Sequence, residues 1–169
     1  TINSRVMKEV SCMNFQKFTQ KSVEAINNCE KIAYDYGNQE IDQEHFLYSL
    51  MTIDDSLIAS LIEKMNIDKD VFLKNIEQLL NQKNKVSGDV KLYISNDLNK
   101  VLINAEEEAK RMGDSYVSVE HLMLALIAST NRAIKQLFKT YGINRESFLS
   151  VLATVRGNQT VNSDNPEAT

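Results

Sequence analysis

The chain is short of structure breakers. One proline and five glycines occur in 169 residues. Leu, Ile, Lys, Glu, Asn and Ala dominate instead, which favours helices over a β-rich fold. Positive charge is also scarce. Nineteen Lys and Arg stand against 23 Asp and Glu, a formal charge of −4. That balance supplies no basic face for nucleic acid. No apolar run approaches the roughly 18 to 20 residues that cross a bilayer, so no membrane partner is expected. The N-terminus lacks a basic stretch leading into an apolar core, and no signal peptide is expected. The two cysteines, Cys12 and Cys29, form no CxxC pair and have no histidine at metal-ligand spacing. Cys29 falls on an apolar helical stripe and reads as a small buried hydrophobe, while a disulfide between the two stays open. Reduced cysteines without an export signal point to the cytoplasm.

Catalytic motifs are missing as well. No glycine is followed by lysine, so the phosphate-binding GxxxxGK[ST] loop is absent and no ATP site of that type is expected. Neither GxGxxG nor GxSxG occurs. The two histidines each follow a glutamate, as Glu44-His45 and Glu120-His121, and neither belongs to HExxH. These repeated dipeptides invite a metal or acid–base reading. The plainer reading is positional: each falls in the first turn of a helix, where Glu suits the positive end of the dipole and His packs or hydrogen-bonds between helices. No Ser/His/Asp or Cys/His grouping is legible. The expectation is a binding module with no catalytic residue, metal or cofactor of its own.

What the chain does have is an internal repeat with a constant offset of 76 residues. Gly37, Glu44, His45, Leu50 and Ile67 recur as Gly113, Glu120, His121, Leu126 and Ile143, and Phe72-Leu73 recurs as Phe148-Leu149. No gap is needed between Thr19–Leu80 and Ser95–Arg156. Other pairs keep their character, as in Asn38/Asp114, Ile41/Val117, Asp42/Ser118 and Ile26/Leu102.

Each copy reads as four helices. The first runs from about Gln20 to Tyr36, with Ile26, Cys29, Ala33 and Tyr36 at helical spacing. Thr19 precedes it as N-cap and Gly37 follows as the left-handed C′ residue, with Gly113 in the second copy. After a short loop, Asp42 or Ser118 caps a second helix. Asp55 or Asn131 is placed to cap the third, and Asp68 or Asn144 the fourth. The fourth-helix stripes are Phe72, Leu73, Ile76, Leu79 and Phe148, Leu149, Leu152, Val155. Four short amphipathic helices cannot bury their stripes alone, but two copies face to face can. The expected fold is therefore all-α: two tandem four-helix repeats (about 19–80 and 95–156) packed as one pseudo-twofold globule. Residues 81–94 read as a polar connector, and 157–169, with Pro166, as a flexible linker. Residues 1–12 lie outside the repeat as an extension. Tyr48 and Tyr93 are candidates for exposed aromatics in a peptide groove.

Two short-helix units at this spacing resemble the Clp N-terminal repeat domain family. The carriers are Phe18-Thr19, the segment GNQEIDQEH at 37–45 and RMGDSYVSVEH at 111–121. The resemblance covers about Met13 to Thr169. The ending, Val155-Arg156-Gly157-Asn158-Gln159 and then Asn165-Pro166-Glu167-Ala168-Thr169, is similar to the ClpB-type exit toward an AAA+ module. The resemblance implies the substrate-binding domain of a hexameric disaggregase that works with the DnaK system, with ATP and Mg confined to other modules and the domain itself monomeric. It also implies substrate-linked residues at Thr19, Asp114 and Glu120, with an apolar groove between the copies that includes Leu102. Acidic residues at its rim would bias it toward basic or neutral clients. The alternative is docking of a folded adaptor, as in ClpA- and ClpC-like relatives.

Overall fold

In the computed structural model, residues 15–157 and 161 are described. Among the described residues, eight α-helices account for nearly all regular structure: α1 Gln20–Asp35, α2 Gln43–Thr52, α3 Leu57–Lys64, α4 Lys69–Asn81, α5 Asn96–Arg111, α6 Val119–Ala128, α7 Arg132–Tyr141 and α8 Arg145–Arg156. The fold is all-helical, with α1–α4 forming one repeat and α5–α8 the other. Residues 1–14, including Cys12, lie outside the described residues.

Local chemistry starts and stops these helices as expected. Thr19 Oγ1 accepts from Ser22 N at 3.2 Å, and its counterpart Ser95 accepts from Leu98 N at 3.0 Å. At the other end of α1, Gly37 N–H reaches Tyr34 O and Asn38 N–H reaches Ala33 O, the paired bonds of a Schellman stop. Gly113 and Asp114 do the same for α5 with Lys110 and Ala109. Gly37 and Gly113 have φ of 71° and 73°, a region that a side chain makes unfavourable. A Cβ at Gly113 would meet nothing within 4 Å, so the backbone alone sets the cost. Gly113→Ala should therefore lower unfolding stability by about 1 kcal/mol in urea titrations. A neutral result would mean that this turn is not held left-handed.

One cap differs from expectation. Asp55 does not cap α3; it sits in the left-handed region at φ 53°, and Ser56 caps instead by accepting from Ala59 N at 3.0 Å. The repeats slip by one residue here, because Asn131 does cap α7 through Ile134 N. The α4 stripe is also shifted: Phe72, Ile76 and Leu80 are fully buried, while Leu73 and Leu79 are only partly so. Val155, placed on the core stripe of α8 by its spacing, is 48% exposed.

The core sits on α2 and α6. In α6 every residue from Val119 to Leu126 is buried, as expected of a helix wrapped on all sides. Cys29 lies in this core and donates to Ala25 O, and burial pushes its thiol up to about 12, so it packs as a hydrophobe.

Two short backbone pairings, not foreseen in the loops, interlock the repeats. Glu40–Ile41 (β1) pairs in parallel with Tyr93–Ile94 (β2), with Ile41 opposite Ile94. Phe18 pairs in parallel with Val117. These are the same pairing seen from each half, since 117 and 94 lie 76 beyond 41 and 18. In both, the residue entering the first helix donates to the loop before the other repeat's second helix: Ser95 N to Ile41 O and Thr19 N to Val117 O, each 2.9 Å. The pseudo-twofold is thus built into the main chain as well as the side-chain packing.

Candidate functional site

The loop between the first and second helix of each repeat carries the EH dipeptide into a helix N-terminus. His45 and His121 both occupy the N3 position of a capping box. His45 Nδ1 accepts from Asp42 N–H at 2.9 Å, and His121 Nδ1 accepts from Ser118 N–H at 2.9 Å. The ring proton is then on Nε2, which donates to Asn38 Oδ1 at 2.9 Å in the first repeat and to Asp114 Oδ2 at 2.6 Å in the second. Both nitrogens of each ring are committed to the fold. Among the described residues no group of three His, Cys, Asp or Glu is placed to hold a metal ion.

Each histidine lies beside a buried charge cluster. In repeat 1, Lys83 Nζ lies 3.1 Å from Glu44 Oε2 and 3.5 Å from Asp42 Oδ2. Repeat 2 covers this cluster: Asn131 Nδ2 donates to Glu44 Oε1, Ser95 Oγ to Asp42 Oδ1, and Gln43 Nε2 to Ser129 O. Burial first, then the Lys83 ammonium, holds His45 down at about 4. The two carboxylates raise Lys83 despite the opposing effect of burial.

In repeat 2 the same two carboxylates and one cation are arranged differently. Asp114 and Glu120 replace Asp42 and Glu44, and Arg156 replaces Lys83. The acid at the cap position has become Ser118, and the amide in the loop has become Asp114. Arg156 binds Asp114 through Nη2 and lies 3.6 Å from Glu120 Oε2 through Nη1. Ser118 Oγ donates to Glu120 Oε1. His121 is held below its ordinary value, chiefly by burial.

Residues expected at a binding site are placed as follows. Thr19, Asp114 and Glu120 gather around the 114–120 loop, with Thr19 bonded to Val117. Leu102 lies on α5 within the core. Their exposures are 0, 7, 5 and 0% for Thr19, Asp114, Glu120 and Leu102. None of the four stands on an open rim, and the two acids share Arg156 as a cationic partner. Tyr48 is half-buried with its ring edge-on to Tyr36 at 6.1 Å, whereas Tyr93 is 44% exposed.

Sequence reading missed Lys83, Arg156 and Val161. The one available signal was the exchange of acid and neutral residue between positions 38/42 and 114/118. Of the linker expected over 157–169, residues 158–160 and 162–169 lie outside the described residues, and Val161 is held by the fold. It is buried, its N–H donates to Asp114 Oδ1 at 2.9 Å, and its carbonyl accepts from Ser115 N at 3.0 Å and Tyr116 N at 3.1 Å. Two open grooves lie elsewhere. One, of about 660 Å³, runs beside α1 with Val23, Asn27 and Ile53 in its walls. The other, of about 730 Å³, lies between α4 and α7 and is lined by Leu79, Tyr141, Arg132, Lys135 and Lys139.

The family model described as the Clp repeat (R) N-terminal domain matches residues 17–141. The chain belongs to the Clp N-terminal repeat family. The chaperone protein ClpB of Bacillus anthracis is 38% identical over 161 residues, 93% of this chain but 18% of that protein. The chain thus spans about a fifth of the length of such relatives. Among solved structures, the Hsp104 N-terminal domain from Candida albicans superposes with a TM-score of 0.75, at 23% identity, covering 88% of this chain and 97% of that one. A complex of the ClpV N-domain with VipB peptide gives a TM-score of 0.65 at 16% identity, covering 96% and 98%. These two show a common fold. The ClpB match reaches beyond fold, because it holds over nearly the whole chain at an identity that fold alone does not require. The Clp N-domain described here is thus similar to that of ClpB proteins over nearly its whole length.

Proposed function

We propose that this domain receives unfolded or aggregated polypeptide for a ClpB-type ATP-driven disaggregase. The observation that carries the reading is the 38% identity to ClpB across 93% of the chain. Its surface fits a binding role. Two open grooves and exposed apolar side chains, among them Tyr34, Tyr93 and Ile103, offer area to a client. Removing apolar client segments from water supplies the driving force. Binding is weak by design, because one surface must accept many sequences. ATP and Mg act in other modules of a homohexamer that hands clients on with the DnaK system in the cytoplasm. The domain alone is monomeric and turns nothing over.

A fluorescence-anisotropy titration of a labelled, permanently unfolded protein with this chain tests the reading. The expected result is weak, saturable binding that apolar peptides compete away. A panel of unfolded proteins with no saturation would reject it. Recovery from a lysate of one stoichiometric folded protein, instead of a mixture of misfolded ones, would favour adaptor docking.

A further inference from the structure

Helix α7 carries three cations that the fold does not use. Arg132, Lys135 and Lys139 are exposed and, at spacings of three and four residues, lie along one face of the helix. Among the described residues none of them pairs with a carboxylate. Their counterparts 76 residues earlier are Ser56, Ala59 and Glu63, which include no cation and one acid. The core keeps the same register, with Ile58 matching Ile134 and Leu61 matching Leu137, all buried. A helix in this place therefore folds without positive charge on that face. Arg132 is also the first residue of α7, at the positive end of the helix dipole, where a cation is disfavoured and no acid stands in the first turn to offset it. In a chain with 23 acidic and 19 basic residues, such a face is not explained by composition or by stability.

The cations form one wall of the open groove of about 730 Å³ between α4 and α7. The opposite wall is Gln78, Leu79 and Gln82 of α4, and no Asp or Glu lines the groove. The groove owes its opening to an asymmetry between the repeats, since α3 packs more closely on α8 than α7 does on α4. One end is closed by Tyr141, whose hydroxyl accepts from Asn75 Nδ2 and whose ring stands edge-on to Phe72 at 5.1 Å.

We propose that this groove docks an extended, acidic segment of a partner protein, with its carboxylates on the α7 wall and its apolar side chains on Leu79. The dimensions suit such a segment. Arg132 to Lys139 spans about 10 Å of helix, the length of about three extended residues. In an extended segment alternate side chains point to opposite sides, so acids and apolar residues in alternation meet the two walls separately. Gln78 and Gln82 offer both donors and acceptors to the segment's backbone. A nucleic acid fits less well. A single strand needs rings to stack on, and Tyr141, the one aromatic in the lining, is already packed against Phe72. This recognition is narrower than client capture. A surface for many clients must accept many sequences, whereas unpaired cations on one wall select one sign of charge. The proposal shares no residue with the 114–120 loop and does not rest on the client reading.

The test titrates a labelled octapeptide of alternating glutamate and leucine with the full chain, read by anisotropy and by amide shifts. Binding should be saturable, should weaken as salt rises, and should move amides of α7 together with Gln78 and Leu79. The analogue with glutamine for glutamate should bind about tenfold more weakly. The variant combining Arg132→Ser, Lys135→Ala and Lys139→Glu carries the residues of repeat 1 and should lose about tenfold in affinity with its thermal unfolding unchanged. Lys135→Gln with Lys139→Gln keeps the test open if the triple variant unfolds early, and should lose about threefold. Equal affinity for the glutamine analogue, or for a folded variant, would overturn the proposal. So would shifts confined to residues outside α4 and α7. Oligothymidylate binding as tightly as the acidic peptide would overturn the peptide assignment in favour of a general polyanion site.

Discussion

Asp114→Ala should destabilise the domain by about 3–5 kcal/mol in urea or thermal unfolding, the usual range for removing one partner of a buried charge pair. The carboxylate accepts from Arg156, His121 Nε2 and Val161 N, and its side chain is fully buried. Alanine removes the acceptor that His121 Nε2, Val161 N and Arg156 share, and a buried donor that loses its acceptor costs much more than the net worth of the bond. Asp114→Asn should cost less. Repeat 1 works with Asn38 opposite His45, so one amide oxygen can serve His121, but Arg156 then loses the carboxylate at 114 as a charged partner. Adding Arg156→Met to Asp114→Ala should restore part of the loss, because the buried cation that has lost one of its carboxylates goes with it. A loss below about 1 kcal/mol for Asp114→Ala would show that water reaches the cluster and satisfies it.

Acid should destabilise the domain through His45. Its folded value of about 4 lies below the ordinary 6.5, so between these values the unfolded chain binds the proton that the folded chain refuses. Stability is then full above pH 6.5 and falls as the pH drops toward 4. A gap of this size corresponds to about 3 kcal/mol at the bottom of the window. The cause is geometric as well as dielectric. Nδ1 already accepts the Asp42 amide, so a proton there would face another N–H. Lys83 adds repulsion, and Asp42 offsets part of it. Carboxylates titrate over the same range, so the comparison must be with His45→Gln. Glutamine at N3 can still accept from the cap amide but does not titrate. The parent should lose more stability than this variant between pH 7 and 4, by up to about 3 kcal/mol. Equal pH profiles would refute the assignment. His121 should act in the same direction, since burial lowers it too.

These two predictions concern residues whose positions, but not partners, could be read in the sequence. The 76-residue offset between His45 and His121 identifies the duplication because both copies solve the same packing problem with the same residues. The eight helices follow from signals confined to a few neighbours. Thr19 caps the residue three ahead, Gly37 and Gly113 stop helices by permitting positive φ, and apolar spacing marks the buried face. Even the error at Asp55 is local: two adjacent residues could both cap, and the chain used Ser56.

The sequence by itself therefore determined the helices, their duplication and the family. Tertiary structure alone decided what meets across long separations. Phe18 with Val117 and Ile41 with Ile94 carry no strand periodicity, because pairings this short are held by the packing around them. Lys83 reaches back 41 residues to Asp42, and Arg156 reaches back 42 to Asp114. Nothing in spacing selects these cations among the 19 present, since a charge finds its partner through the burial of both. Asp114 and Glu120 look like surface acids until folding encloses them around Arg156. Val161 looks like linker until the loop after α5 presents two amides and a carboxylate at the one place where its backbone can use them.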